Sequence, residues 1–291
     1  MHVFTPRRLV GALLVPLAFA PDHARAEGFN ETRAQAMGGA VHADPVANSS
    51  LVSNPAGLAR TYAYGAEVCY FRTGPGDRNG VGVNVVDSKT QPSMAVGLAY
   101  GYEFSDPKAK PKFEGHNARL AFAHPLIANQ LSMGVGLHYL NYDRGGAGDN
   151  LSAFTMDAGL VFSATSAFHI GLAGQNLINT DDPEVPMLAG GGIAYTGEFA
   201  TIDLDTMADF TTQKSAKPVF LGGLEFMLGD IVPVRAGVER NQATEQTKIS
   251  GGIGFVAADE RESGSQLNVS FTQSIDKKKD FQFGAGFVIF L

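Results

Sequence analysis

From about Thr61 onward, the chain alternates between bulky apolar residues and small or polar residues with a period of two. Between Met94 and Phe104, every second residue is Met, Val, Leu, Tyr or Phe, and the residues between them are Ala, Gly or Glu. The stretches 131–139 and 281–287 alternate in the same way. Successive side chains of a β-strand point to opposite faces, so this period is typical of strands and not of helices. The pattern predicts an all-β chain.

Fourteen stretches carry this alternation, and each is about 9–15 residues long. The predicted strands are 61–73, 78–87, 93–105, 114–125, 129–143, 151–163, 166–177, 187–196, 198–206, 217–228, 231–240, 246–257, 264–274 and 280–291. A tilted strand needs roughly 9–11 residues to cross a bilayer. An open soluble sheet of this many strands is unusual, and in lipid the sheet must close so that all backbone groups are paired. We therefore predict a transmembrane antiparallel β-barrel of about 14 strands over residues 61–291.

The two faces of the predicted strands differ in a way that gives the barrel its inside and outside. One face is bulky and apolar, and the other carries Gly, Ala, Ser, Asn and a few charges, which suits a barrel in lipid with a lumen behind it. The residues expected to contact lipid include Leu98, Val135, Leu160 and Phe287. The polar groups expected in the lumen, few and not clustered, are Arg119, His138, Asp157, Arg235 and Glu239.

The connections between strands indicate the orientation. Those after odd-numbered strands contain most of the Asp, Lys and Pro, whereas those after even-numbered strands are mostly tight turns. Outer-membrane barrels have long loops outside and short turns in the periplasm, so the odd-strand loops are expected outside the cell. The stretch Phe283–Leu291 resembles the aromatic-ended last strand that barrel-assembly machinery reads, with Leu at its final position. This machinery is therefore an expected partner.

The first 26 residues have the pattern of a signal peptide. Arg7 and Arg8 form a basic region, Leu9–Ala20 is an apolar stretch too short to span a bilayer, and Ala24–Ala26 is a small-x-small cleavage site. Elsewhere no run approaches 18 continuous apolar residues. The expected location is the bacterial outer membrane, as a multi-pass barrel.

Composition narrows the class further. Apolar residues make up 44% of the chain but mean hydropathy is only -0.01, too low for a helical membrane protein of this size. The net charge of -7 argues against nucleic acid as a partner. The single cysteine, Cys69, excludes an intrachain disulfide.

Residues 27–60 do not alternate. Thr32–Met37 is expected to form a short helix capped by Asn30 or Thr32 and ended by Gly38 and Gly39. Asn54–Gly57, with the sequence Asn-Pro-Ala-Gly, is expected to form a turn.

This segment resembles the N-terminal signature of the FadL/PorV superfamily, roughly R-A-x-x-M-G-G-A, a small and acidic stretch, then N-P-A-G-L-A before the first strand. The positions that match are Arg33, Met37, Gly38, Gly39, Asp44, Asn54, Pro55 and Gly57. The resemblance implies a fourteen-stranded barrel whose segment 27–60 folds into the lumen as a plug, or hatch. The chain departs from the pattern in carrying only Asp44 where an acidic pair is usual. Its loops are also too short for the large extracellular cap of FadL transporters.

The sequence offers little catalytic chemistry, with no G-x-S-x-G, zinc-type or Walker pattern. His138 and Asp157 are interpreted as a hydrogen-bonded pair in the lumen, since no nucleophile accompanies them. The acidic loop Ile178–Pro186 is read as solvated, with weak Ca²⁺ binding as the alternative. Lys277–Lys279 forms a solvated turn or a contact with lipopolysaccharide. No cofactor is expected.

Two functions stand out. The first is FadL-like passive transport of small hydrophobic molecules, such as fatty acids or hydrocarbons. The alternative is a PorV-like barrel that does not transport but docks or assembles secreted or surface proteins. A barrel enzyme is a distant third. The expected partners are outer-membrane lipid, lipopolysaccharide, and either a hydrophobic ligand or a secreted protein.

Overall fold

The computed structural model describes residues 31–62, 64–74, 77–91, 93–146, 148–258 and 263–291. The expected signal peptide, 1–26, and the first residues of the expected plug, 27–30, lie outside these residues. Within the described ranges, no helix has the length and apolar character needed to cross a membrane.

The chain from residue 64 onward forms fourteen antiparallel strands that close into a barrel. The strands are β1 (Tyr64–Thr73), β2 (Arg78–Asp87), β3 (Ala95–Ser105), β4 (Glu114–Ile127), β5 (Leu131–Asp143), β6 (Leu151–Ser163), β7 (Phe168–Gln175), β8 (Leu188–Thr196), β9 (Ala200–Asp209), β10 (Lys217–Leu228), β11 (Val232–Asn241), β12 (Gln246–Ala258), β13 (Gly264–Ser274) and β14 (Phe281–Phe290). All fourteen predicted strands are confirmed, with ends displaced by at most a few residues.

Closure comes from the pairing of β1 with β14. Their register runs from Gly65 opposite Phe290 to Thr73 opposite Gln282. Every other strand pairs with its neighbours in the chain, so the sheet has no open edge. All backbone groups along the wall can then pair with each other, as a hydrocarbon environment requires.

The faces of the wall are as the alternation predicts. Along β5, buried and exposed residues alternate almost without interruption. The four residues expected to contact lipid are all exposed: Leu98 by 55%, Val135 by 39%, Leu160 by 40% and Phe287 by 45%. Bulky apolar side chains cover the outside while charged and amide side chains are buried inside, the reverse of a soluble protein.

The barrel has two unlike ends. The loop end carries the connections after odd-numbered strands, and the turn end carries those after even-numbered strands. The longest connection at the loop end, here called the β7–β8 loop, comprises residues 176–187. It begins where Asn176 adopts a positive φ of 52° and β7 stops pairing with β6.

The described part of the N-terminal region, residues 31–62, is here called the N-terminal segment. It contains helix α1 (Thr32–Ala36) and two 3-10 helices (Ala47–Leu51 and Pro55–Ala59). Nearly all of its residues up to 60 are buried or half-buried. Helix α1 lies against β11 to β14, and the 3-10 helices lie against β1 to β6.

The cap of α1 differs from the expectation. The predicted cap was Asn30 or Thr32, but the carboxylate of Glu31 accepts hydrogen bonds from the backbone N–H groups of Arg33 and Ala34, at 2.7 and 3.0 Å. A carboxylate is a good N-cap because it satisfies free N–H groups and carries the charge that a helix N-terminus favours.

Candidate functional site

The N-terminal segment approaches the wall so closely that its backbone lies where wall side chains would otherwise be. Three lumen-facing glycines make this contact: Gly134 on β5, Gly171 on β7 and Gly237 on β11. A Cβ at Gly171 would overlap the carbonyl oxygen of His42 and lie 2.7 Å from the Cα of Ala43. Any larger residue at such a position must displace the segment or the wall, because the neighbouring atoms belong to backbone and not to a flexible side chain.

The first part of the expected motif turns the chain after α1. Gly38 and Gly39 have φ values of 66° and 80°, a region that only glycine adopts without strain, and together they end the helix as predicted. A Cβ on Gly38 would also lie 2.7 Å from the backbone nitrogen of Val238 on β11. Met37 has no solvent exposure and packs within the segment.

The second part of the motif makes the turn into the barrel wall. Asn54 caps the 3-10 helix that begins at Pro55, and its Nδ2 donates to the carbonyl oxygen of Leu172 on β7 at 3.2 Å. Gly57 is tightly packed, since a Cβ there would overlap the carbonyl oxygen of Pro45. The predicted turn at Asn54–Gly57 is therefore present, as the first part of this helix.

A cluster of opposite charges joins the segment to the wall. Arg33 Nε lies 3.3 Å from Glu225 Oε2 on β10, and Arg235 Nε on β11 lies 2.5 Å from the same oxygen. On the segment, Asp44 lies between two cations, 3.5 Å from Arg33 and 3.0 Å from Arg60. Burial by itself lowers the pKa of Arg33, but Glu225 and Asp44 raise it above its ordinary value, so the guanidinium stays charged.

Strand β9 presents two carboxylates to the same segment. Asp205 Oδ2 lies 2.8 Å from His42 Nδ1 and accepts the His42 backbone N–H at 3.0 Å. Asp203 Oδ2 accepts the backbone N–H of Asp44, also at 3.0 Å. These backbone contacts fix the path of the segment along β9, because a carboxylate is a strong acceptor for otherwise unpaired N–H groups.

His138 and Asp157 lie near each other but are not the hydrogen-bonded pair that was predicted. Both contact Asn176 at the start of the β7–β8 loop, His138 through Nδ1 at 3.2 Å and Asp157 through the Asn176 backbone N–H at 2.8 Å. His138 Nε2 is bonded to Asn117 at 2.7 Å, and Asp157 lies 3.8 Å from Arg119. The predicted hydrogen bond between His138 and Asp157 is wrong because Asn176 bonds to both side chains and lies between them.

The predicted lumen residues therefore do not form one site. Arg119, His138 and Asp157 come together on β4 to β6, whereas Arg235 belongs to the cluster around Glu225. Glu239 on β11 lines the same cavity as Arg119 and His138. The expectation that lumen charges are few and unclustered is wrong.

Sequence reasoning missed the wall residues that bind the segment: Glu67, Asp203, Asp205 and Glu225. A signal was present on β9, where Asp203 and Asp205 alternate with Ile202 and Leu204 and so fall on the lumen face.

The acidic β7–β8 loop is solvated only in part. Asp181 and Pro183 are exposed as predicted, whereas Asp182 and Glu184 are largely buried in ion pairs, so the prediction is wrong for these two residues. Arg144 lies 2.9 Å from Asp182 and 3.0 Å from Glu184, and Glu184 also lies 3.2 Å from Arg78. Val185 beside them is 4% exposed and packs in an apolar cluster with Phe113, Leu140 and Tyr142. Over the residues described, no group of three or more His, Cys, Asp or Glu side chains could hold a metal ion, so the calcium alternative has no supporting geometry.

Between the segment and this loop lies a cavity of about 220 Å³, here called the central cavity. Apolar and amide side chains are interspersed around its wall. Leu140 is the cross-strand neighbour of Asn117, and Leu188 is that of Gln175. The lining also includes Val219, Leu221, Asn176 and Gln282. A second cavity of about 180 Å³ lies at the turn end, around Arg60 and His169, and shares no lining residue with the first.

Solved structures share this architecture over nearly the whole chain. A Pseudomonas aeruginosa FadL homologue superposes with a TM-score of 0.62 at 12% identity, over 90% of this chain and 97% of its own. The chain has the FadL fold. The Pseudomonas putida toluene transporter TodX gives a TM-score of 0.59 at 12% identity, over 91% of this chain and 98% of its own. The CymD monoaromatic hydrocarbon channel gives 0.62 at 13% identity, over 89% and 96%.

These likenesses confirm the expected resemblance to FadL and agree with the fourteen-stranded barrel that the alternation predicts. At these identities the likeness concerns the fold and leaves the substrate open. No family model matches the chain, and no curated protein matches its sequence.

Proposed function

We propose that this chain is a bacterial outer-membrane barrel through which small hydrophobic molecules pass passively. Three features support the proposal. The barrel is closed, its exterior is covered by apolar side chains, and its fold is that of proteins described as a toluene transporter and a monoaromatic hydrocarbon channel. Outer-membrane barrels have their longer loops outside the cell, so on this proposal the loops after odd-numbered strands face outward.

The observation that carries the proposal is that the N-terminal segment lines both cavities. Residues between Ala34 and Ser53 line the central cavity, and Ala59 and Arg60 line the cavity at the turn end. On our proposal the segment fills the barrel between the two cavities as a plug. A barrel filled in this way does not suit unselective diffusion of water-soluble solutes. It suits molecules that bind in the central cavity, among apolar side chains such as Leu188 and Leu221, and leave when the segment or the wall moves.

On this proposal the β7–β8 loop is the external gate. Its ion pairs with Arg78 and Arg144 hold Val185 against the apolar cluster at the loop end. A hydrophobic molecule can take the place of Val185 in that cluster while the cluster stays shielded from water. Entry then replaces one apolar contact with another.

The test is uptake of radiolabelled toluene by cells that make or lack the protein, with sucrose as a water-soluble control. We expect toluene to enter several times faster in cells that make it, and sucrose uptake to be unchanged. Faster entry of both solutes would indicate an unselective pore. Unchanged toluene uptake in cells with the protein correctly in the outer membrane would contradict transport. Together with stoichiometric co-purification of one exported protein, that result would favour the PorV-like docking role.

A further inference from the structure

The lining of the central cavity contains buried polar atoms that have no hydrogen-bond partner among the described residues. They belong to three wall side chains that line the cavity: Asn117 Nδ2, Arg119 Nε, and both amide atoms of Gln282. Asn117 is 2% exposed and Gln282 is 3% exposed. A buried polar atom without a partner costs roughly 1–3 kcal/mol, so these atoms favour a ligand that can hydrogen-bond. A pure hydrocarbon leaves them unsatisfied.

The two amide side chains bonded to His138, those of Asn117 and Asn176, determine whether the ligand donates or accepts a hydrogen bond. Asn176 Nδ2 donates to the carbonyl oxygen of Pro186 at 3.0 Å, so its Oδ1 faces His138 Nδ1 and that nitrogen is the donor. In the structure Asn117 Oδ1 lies 2.7 Å from Nε2 and Asn117 Nδ2 is the atom without a partner. A neutral imidazole carries only one N–H, so with that proton on Nδ1 the Asn117 amide turns over, its NH₂ donates to Nε2 and its oxygen faces the cavity. In a protonated imidazole, the Asn117 NH₂ faces the cavity instead.

A hydroxyl group fits both arrangements because it donates one hydrogen bond and accepts others. A ketone or ether only accepts, and it matches only the protonated form of His138. The free amide of Gln282 offers a donor and an acceptor together, which again suits a hydroxyl group.

The charges at the cavity favour a neutral ligand. Arg119 is balanced by Asp157 at 3.8 Å, and Glu184 is balanced by Arg78 and Arg144. Glu239 also lines the cavity, and its carboxylate would repel an anionic ligand. An ionised ligand would bring a further charge into a buried site whose charges are already paired, at a large desolvation cost.

The volume of the cavity limits the size of the ligand. An engineered protein cavity of about 150 Å³ holds benzene, which has six non-hydrogen atoms. The central cavity, at about 220 Å³, is about one and a half times as large and accommodates roughly nine such atoms in proportion. A long-chain fatty acid has about twice that number and does not fit.

We propose that the central cavity binds small neutral alcohols or phenols of about nine non-hydrogen atoms. The hydroxyl group bonds to the side-chain amide of Asn117, and the hydrocarbon part lies on Leu140, Leu188, Val219 and Leu221. This inference rests on the proposed function and narrows its substrate class.

The test compares 4-ethylphenol with 4-ethyltoluene, two compounds of nearly equal size that differ in a hydroxyl and a methyl group. Binding to the full chain in lipid nanodiscs is measured by titration calorimetry, with empty nanodiscs subtracted. We expect 4-ethylphenol to bind about tenfold more tightly, the ratio that one hydrogen bond gives. Ionised 4-ethylbenzoate and hexadecanoate are expected to give no saturable binding.

Two variants locate the site. Asn117→Leu should remove the tenfold preference and leave the affinity for 4-ethyltoluene within about twofold, whereas Asn84→Leu should keep the preference. Asn84 is an equally suitable amide for comparison because it is buried and lumen-facing but bonded to Glu67, away from the cavity. Leu221→Trp should fill the cavity and abolish binding of both compounds. Heat-modifiable migration on gels confirms that each variant is folded.

The outcomes separate the two proposals. Equal binding of both compounds, or a preference that survives Asn117→Leu, overturns the hydroxyl-specific site and leaves hydrophobic transport in place. Unchanged binding in Leu221→Trp also overturns it, since the site would lie elsewhere. Absence of binding by both compounds overturns the inference, and toluene uptake by cells then decides the proposed function separately.

Discussion

Arg33 Nε on the N-terminal segment lies 3.3 Å from Glu225 Oε2 on β10, a contact between residues 192 positions apart in the sequence. Glu225 is shared with Arg235, so one carboxylate balances two guanidinium groups. The segment is thereby tied to the half of the barrel that is last in the chain, although its own last residue leads directly into β1.

Glu225→Gln should loosen the segment, because it removes the carboxylate that Arg235 shares with Arg33 and leaves Arg33 with only Asp44, which also pairs with Arg60. Breaking a buried pair in this way costs roughly 3–5 kcal/mol. We expect faster hydrogen exchange at residues 33–44 and a lower urea midpoint for the protein in lipid vesicles. Glu114→Gln is the matched control, since that side chain is 60% exposed at the loop end. Equal exchange in both variants would show that the cluster does not hold the segment.

Gly171→Ala should displace the segment from the wall. The added Cβ would overlap the carbonyl oxygen of His42, and backbone on both sides prevents a small local adjustment. We expect a higher single-channel conductance in planar bilayers, towards the value reached when residues 27–53 are deleted. Gly251→Ala serves as the control because the nearest atom to its new Cβ is at an ordinary 3.6 Å. Conductance that stays at the wild-type value after the deletion, with the barrel folded, would contradict a lumen plug.

Leu98→Arg should destabilise the barrel by roughly 2–4 kcal/mol if this outward-pointing, 55% exposed side chain lies near the bilayer midplane. Leu126→Arg, at the turn end of β4, should cost only about 0–1 kcal/mol. The measurement is reversible unfolding in lipid vesicles. Similar small costs at both positions would mean that the apolar exterior is not in hydrocarbon.

Arg144→Met should release the β7–β8 loop. Arg144 holds Asp182 and Glu184, and its own pKa, which burial alone would lower, is raised by hydrogen bonds to these carboxylates. We expect glutamate-specific protease to cleave after Glu184 at least several times faster, as followed by mass spectrometry. Arg240→Met is the comparison at the same end, because Arg240 is 47% exposed and its ion pair with Asp276 is long, at 4.0 Å. Cleavage at the wild-type rate in Arg144→Met would show that Arg144 does not hold the β7–β8 loop in place.

The barrel could be predicted from the sequence because the signal is local. Each strand alternates by itself, as β5 does between Leu131 and Asp143, and fourteen such stretches in succession leave few ways to satisfy their backbones. The turn residues Gly38 and Gly39 are predictable for the same reason, since their role depends on their own backbone angles.

The site could not be predicted in the same way because its contacts are not local. Nothing near Glu225 in the sequence indicates Arg33, and nothing in the acidic stretch after Asn176 indicates that Val185 turns inward. Those partners are set by the register of a closed barrel, where one residue of displacement would turn a carboxylate from the lumen to the exterior.

The glycines beneath the N-terminal segment have a consequence for the barrel without it. No side chain enters the lumen at Gly134, Gly171 or Gly237. Their backbone groups lie in strands that are already hydrogen-bonded to the neighbouring strands of the wall. Removing the segment would therefore uncover bare, hydrogen-bonded wall along its path. The bore would be wider there than in a barrel of equal circumference lined by side chains. Water would take the place of the segment beside Asp203 and Asp205 of β9, while Glu225 of β10 would keep Arg235 as its partner.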